Sequence, residues 1–422
     1  VARSPLVVAL GHREVRLLVC AQAFSLVGTG STPLVLSFAL LSRHADPATI
    51  GVVLGATGLA FALSLLPAGV IADRVARRGL AAGADWGRAL SMLAAAGCIA
   101  FVHGDLLFPL AACGATWGVS RAFFTPTITG LVPEIVPEEL LAGTNALRSI
   151  AISAGLTVGP ALGGVIVATL GPSIGALGAV AAYLTSGAVL LRLPRARARL
   201  AAASRHPLAD LFAGFAEVRR RAWCSVIIAS SGAMNLLCFG PLLVLGPIVA
   251  ERHLGGAAAW GGIAAAEGVG GILGALGAGH LHPARPLVVA LALAPLGAFV
   301  YLALALVAPF PLIAAASSLS GGVFGVFEVL WETTLQRSVA REALSRVSSL
   351  DWLGSTATNP LGQGLAGITA GAFSVEDVLL VGTVAMLLIP LLGLGSRSVR
   401  AAQKEHGGRP ARDETPPLPD AS

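Results

Sequence analysis

Gly69-Val-Ile-Ala-Asp73-Arg74-Val-Ala-Arg77-Arg78-Gly79 decides the fold of this chain, because it sets one acid and three arginines between two long apolar runs, 49–72 and 80–101. Each run matches the roughly 20 apolar residues that a helix needs to cross a hydrocarbon core about 30 Å thick. A short, charged connection between two such runs marks a loop where the chain leaves a membrane and turns back into it.

Working outward, similar runs recur near 16–41, 49–72, 80–101, 106–132, 142–169 and 174–193, and then near 223–249, 259–280, 287–307, 311–333, 347–373 and 376–395. Hydrophobic residues make up 55% of the chain and charged residues 12%, where soluble domains carry about 25% charge. With a mean hydropathy of +0.81, too little polar surface remains to coat a water-soluble particle. The 52 glycines fit the same class, since Gly lets membrane helices approach closely. The first run exceeds a signal-peptide core and is expected to remain as a spanning helix.

Basic residues are distributed one-sidedly. With the N-terminus placed inside, 23 Lys and Arg fall in inner segments and only Arg43 and Arg252 in outer loops. This asymmetry predicts an even number of spans with both termini in the cytoplasm. The net charge of +6 lies in loops rather than on one face of a soluble fold, so nucleic acid is not an expected partner.

The spans divide into two sets of six, giving the expected organisation of an N-terminal half at 1–193, a linker at 194–222, a C-terminal half at 223–395 and a disordered cytoplasmic tail at 396–422. The linker reads as a short amphipathic helix on the membrane surface, with Leu208, Leu211, Phe212, Phe215 and Val218 at helical spacing and Arg219–Arg221 at its end. The halves echo one another. Val136-Pro-Glu-Glu-Leu-Leu141 is answered by Val339-Ala-Arg-Glu-Ala-Leu344, and Gly159-Pro160-Ala-Leu-Gly163-Gly164 by Asn359-Pro360-Leu-Gly362-Gln363-Gly364. Such repeats are the signature of transporters whose substrate path runs between them.

The loop at 69–79 resembles the Gly-x-x-Ala-Asp-Arg-x-x-Arg-Arg pattern that joins the second and third helices of the major facilitator superfamily, with Ala76 where Gly is usual. The resemblance implies an all-α membrane protein of twelve transmembrane helices in two pseudo-symmetric halves. It also implies that Gly69, Asp73, Arg74, Arg77 and Arg78 form a charged cluster that locks helices in one state of the transport cycle; the alternative is an ordinary positive-inside loop. In span five, Gly155, Gly159, Pro160, Gly163 and Gly164 resemble the fifth-helix motif of that superfamily's exporters. The competing reading is generic close packing. Arg121-Ala-Phe-Phe-Thr-Pro126 and the stretch from Leu131 to Leu147 are similar to a bacterial subgroup that includes siderophore and macrolide exporters.

Charges inside apolar spans are costly and therefore default functional candidates. They include Asp85 and Arg88 in span three, Arg121 in span four, Glu267 in span eight, and Glu328 and Asp351 nearer the cytoplasmic ends of spans ten and eleven. Low dielectric favours the neutral form of a carboxylate, so Glu267 is the first choice to carry a proton. A structural ion pair with Arg121 across the halves competes with that role. Asp85 and Arg88, three apart, are expected to pair structurally. The resemblance lines the cavity with spans one, four, seven and ten, which contribute Gln22, Ser25, Thr29, Arg121, Asn235 and Glu328.

Several functions find no support. Lys404 is the only lysine and opens no phosphate loop. The five cysteines have no paired or metal-ligand spacing, and His280 and His282 have no Cys or acid at ligand spacing. No nucleophile, base and orienting group converge, so the chain is not expected to be an enzyme. The expectation is a monomeric secondary transporter in the cytoplasmic membrane, needing no cofactor, metal or ATPase subunit. It would use a proton gradient to export a small amphipathic compound by alternating access. An uptake carrier and a non-transporting membrane partner or sensor are the alternatives.

Overall fold

A computed structural model describes residues 5–72, 74–194, 215–281, 283–339 and 341–401. Every regular element among them is helical. The first six long helices are α1 (Arg13–Leu41), α2 (Pro47–Ala72), α3 (Arg77–Phe101), α4 (Leu107–Ile135), α5 (Leu141–Leu170) and α6 (Pro172–Leu190). After the linker come α7 (Ala222–Leu254), α8 (Ala257–Ala278), α9 (Pro286–Ala305) and α10 (Phe310–Ser338). The last are α11 (Arg341–Thr356), α12 (Asn359–Ala372) and α13 (Val375–Gly395). Short helices at Pro5–Gly11 and Arg397–Ala401 flank the bundle.

Nine helices among the described residues are long and apolar enough to cross a membrane, against the twelve expected. The shortfall has two causes. Asp85 and Arg88 lower the mean hydropathy of α3, as Arg121 lowers that of α4. The eleventh run breaks into α11 and α12, of 16 and 14 residues. Pro360 makes that break, because it has no N–H to bond the carbonyl four residues back, whereas in the first turn of α12 that N–H is not needed.

Residues 195–214, which carry most of the predicted amphipathic linker helix, lie outside the described residues, whereas 215–220 are helical. The tail does not begin at 396. Helix Arg397–Ala401 follows α13, and Arg400 donates to the Gly395 carbonyl at 2.7 Å. Residues 402–422 lie outside the described residues.

The outer surface is that of a membrane protein. Leu63, Phe101 and Leu392 are each at least 70% exposed, with many other large apolar side chains. A water-soluble domain does not display so much contiguous apolar surface.

Helix direction places residues 13, 77, 190, 222 and 395 at one end of the bundle, here called the arginine-rich end, and the loops at 43 and 252 at the other. At the arginine-poor end, α1 from Leu34 to Leu40 and α7 from Val244 to Ala250 are buried on all sides. They join Ile50 and Val53 of α2, Ile263 of α8 and Ala366 of α12 in one core that spans both groups of helices. At the arginine-rich end the core divides. Leu18, Ala81 and Leu131 belong to one cluster, and Cys224, Leu287 and Trp331 to another. The bundle is therefore closed at its arginine-poor end and parted at the other.

Two helix crossings join the groups, α2 with α12 and α5 with α8. A Cβ added at Gly51 would stand 2.7 Å from the Gln363 carbonyl oxygen, and one at Gly164 would stand 2.5 Å from that of Ala257. Only glycine permits such backbone approach.

Candidate functional site

The predicted fifth-helix motif serves two faces. A Cβ at Gly159 would lie 2.5 Å from the Val27 carbonyl oxygen, and one at Gly163 would lie 2.8 Å from Ser31 Cβ, so these glycines seat α5 against α1. Gly155 does the same against Leu26 at 2.5 Å. Gly164 turns the other way, toward α8. Pro160 fills the space that Gly30 leaves on α1, while its carbonyl faces Gly261 on α8. The motif thus packs one helix against its own half and the other half at once.

The loop arginines act within the N-terminal group. Arg77 donates to the Gly130 carbonyl at 2.8 Å and pairs with Glu134 at 2.7 Å, tying the start of α3 to the last turn of α4. Gly130 leaves room for that guanidinium, which a Cβ there would strike. Arg78 donates to the Leu193 carbonyl at 2.6 Å, beyond the end of α6. Arg74 is exposed. Nothing lies within 4 Å of a Cβ at Gly69, so packing does not require glycine there. Asp73 lies outside the described residues.

Asp85 and Arg88 form the predicted ion pair, fully buried. The carboxylate also accepts from Ser25 at 3.1 Å and Ser186 at 2.5 Å. Arg88 donates to Thr29 at 3.0 Å and Ser25 at 2.8 Å. Its guanidinium lies between the rings of Phe124 and Tyr183, 4.4 and 4.7 Å from their centroids, faces that attract a cation. Tyr183 accepts from the Trp117 indole N–H at 2.9 Å and shares a bond with Thr32 at 3.2 Å. This network joins α1, α3, α4 and α6, and both carboxylate oxygens of Asp85 are occupied.

Arg121 and Glu267 make no ion pair here. The Arg121 guanidinium lies 4.5 Å from the Phe61 ring centroid and 5.5 Å from that of Trp117. Glu267 sits where α8 is wedged between α5 and α10: Gly268 abuts Thr157, and the Glu267 carbonyl abuts Gly321. Glu328 is exposed and shares a face of α10 with Phe324, which packs edge-on against Phe239 of α7 at 5.7 Å. Neither acid has a hydrogen-bond or ionic partner among the described residues.

One charge and one polar partnership are not announced by the sequence motifs. Arg148 of α5 donates to Gln22 of α1 at 3.0 Å; its charge inside the run 142–169 is the signal that would have found it. Asn359 donates to Asn235 at 3.0 Å and accepts from Gln363 at 2.8 Å, linking α12 to a π-helical stretch of α7 at Asn235–Phe239. Helical spacing marks Asn359 and Gln363 as neighbours, but only packing reveals Asn235 as their partner.

The Major Facilitator Superfamily profile matches residues 18–362. The chain is 25% identical over 387 residues to the multidrug efflux pump Tap of Mycolicibacterium fortuitum, covering 87% of this chain and 91% of the relative. It is also 25% identical over 390 residues to the enterobactin exporter EntS of Shigella boydii serotype 18, covering 90% and 92%. Among solved structures, the nucleoside transporter NupG superposes with a TM-score of 0.72 at 13% identity, covering 91% of this chain and 99% of that one. A bacterial homologue of the iron transporter ferroportin in an inward-facing state gives 0.71 at 15%, covering 91% and 98%. These two likenesses concern the fold alone.

Proposed function

The chain belongs to the major facilitator superfamily, and from that membership we propose that it is a proton-coupled exporter of a small amphipathic organic compound. It is a multi-pass membrane transporter and not an enzyme. In this reading it works as a monomer in the cytoplasmic membrane, with its arginine-rich end and both termini inside. The parted end then admits substrate from the cytoplasm.

The observation that carries the coupling is an asymmetry of charge. Asp85 in the N-terminal group is neutralised by Arg88, whereas Glu267 and Glu328 in the C-terminal group have no cation beside them among the described residues. Within a membrane span, a carboxylate without a cation is cheapest to keep as the neutral acid whenever water is excluded, so it would gain and lose a proton as its access to water changes. The export direction rests on the relatives named above.

Glu267→Gln fixes the neutral form while keeping shape. Export driven by a pH gradient should collapse in proteoliposomes, while gradient-free counterflow of the same substrate persists. Full gradient-driven export by this variant would remove Glu267 from the mechanism, and Glu328 would be tested next.

A further inference from the structure

A groove of about 620 Å³ runs along the arginine-rich half of the C-terminal group, outside the ion-pair network and the two helix crossings. Small residues create it. Gly232 of α7 packs against Gly354 of α11, where an added Cβ would stand 2.7 Å from the Gly354 carbonyl oxygen, and the short side chains of Ala229 and Ala233 beside that contact leave the groove open. The polar atoms along its walls are already satisfied. Thr358 donates to the Gly232 carbonyl at 2.7 Å and Ser225 to that of Val218 at 3.0 Å. The walls therefore offer a ligand nothing but apolar contact.

The mouth is different. Phe215 and Arg219 line it, and Arg220 stands beside them. Glu217 pairs with Arg221 at 2.5 Å and reaches Arg220 at 3.9 Å. Among the described residues Arg219 has no acid beside it, and it lies over the Phe215 ring at 5.8 Å. Net positive charge at the mouth and an apolar slot behind it complement an anion carrying a hydrocarbon tail.

We infer that this groove seats one anionic phospholipid, with an acyl chain along Ala229 and Ala233 and the headgroup phosphate on Arg219 and Arg220. The charge and depth suit the anionic cytoplasmic leaflet, where basic clusters beside a span recognise acidic headgroups. The assignment rests on the orientation proposed above, but binding in a nanodisc is read whichever leaflet the groove faces. Failure of one reading is thus distinguishable from failure of the other.

Native mass spectrometry of the full-length protein, titrated with phosphatidylglycerol or phosphatidylcholine, tests it. One phosphatidylglycerol should be retained in preference to phosphatidylcholine, and Arg219→Gln should weaken that retention about fivefold, as loss of one basic residue at an anionic surface does. A photo-crosslinking residue at Ala229, in nanodiscs containing phosphatidylglycerol, should yield a lipid adduct on protein that elutes as a folded monomer. Equal retention of both lipids, or an adduct to residues 195–214 in place of lipid, would overturn the assignment.

Discussion

A Cβ added at Gly261 of α8 would stand 2.6 Å from the carbonyl oxygen of Pro160 in α5. The relationship recurs at the other crossing, where a Cβ at Gly55 of α2 would stand 3.1 Å from the carbonyl oxygen of Pro360 in α12. These prolines occupy matching places in the repeated sequences. Each crossing joins opposite halves, and under the proposed alternating access the two would serve as bearings on which one half tilts against the other.

Gly261→Leu should jam one bearing. Backbone cannot yield as a flexible side chain does, and overpacking costs about 1–3 kcal/mol. Thermal unfolding in detergent should shift down, and efflux from intact cells should be lost. Gly83→Ala, where nothing lies within 4 Å of the new Cβ, should leave both unchanged. Wild-type efflux by Gly261→Leu would show that the crossing tolerates separation.

Asp85→Asn should be severely destabilising, because it strands the Arg88 charge in a fully buried site. Breaking a buried pair from one side costs about 3–5 kcal/mol. The yield of monodisperse protein on size exclusion should fall sharply, and Asp85→Leu combined with Arg88→Met should recover much of it. Normal yield of the single variant would contradict a structural pair.

Phe61 and Trp352 meet edge to face across the halves, with ring centroids 5.6 Å apart. Such pairs contribute about 0.5–1.5 kcal/mol beyond area burial. A double-mutant cycle with Phe61→Leu and Trp352→Leu should show coupling of that size in thermal unfolding. Cysteine accessibility in the cleft should rise in each single variant. Additive effects within about 0.3 kcal/mol would mean that the rings do not interact.

Asp46 accepts the backbone N–H of Thr49 at 2.7 Å and caps α2 ahead of Pro47. That bond, with a second from the Thr49 side chain, holds its carboxyl below the ordinary 3.8. The unfolded chain therefore takes up the proton more readily. The cap's contribution is complete above pH 3.8 and is lost as pH falls through the lowered value. Asp46→Ala should cost about 1 kcal/mol at pH 7, and its melting temperature should converge on wild type as the buffer is acidified. A deficit independent of pH would exclude the carboxylate as its source.

Much of the site was legible as single positions and little of it as partnerships. The spacing of Asp85 and Arg88 predicts their pair, since residues three apart share a helix face. Ser25, Ser186 and Tyr183 are recruited from distant helices, and no spacing announces them. Glu134 stands within a quoted motif, yet its bond to Arg77 depends on how α4 ends beside α3. The glycines of α5 look like one flat stripe, whereas Gly164 faces a different helix from Gly155, Gly159 and Gly163.

Composition and the one-sided distribution of arginine determined by themselves that this chain is a membrane-embedded helical bundle, because hydrocarbon demands long apolar helices and self-satisfied backbone. The repeated Gly-Pro and Asn-Pro segments announced two related halves for the same local reason, proline and small residues shaping a helix wherever they occur. Tertiary structure alone decided which end of the bundle is closed, that Arg121 stacks on Phe61 instead of meeting Glu267, and that α7 and α11 leave a groove between them. Those outcomes depend on how helices far apart in the chain dock. In a bilayer, packing of small residues and interhelical hydrogen bonds chooses the partners, and an apolar pattern shared by every helix does not distinguish among them.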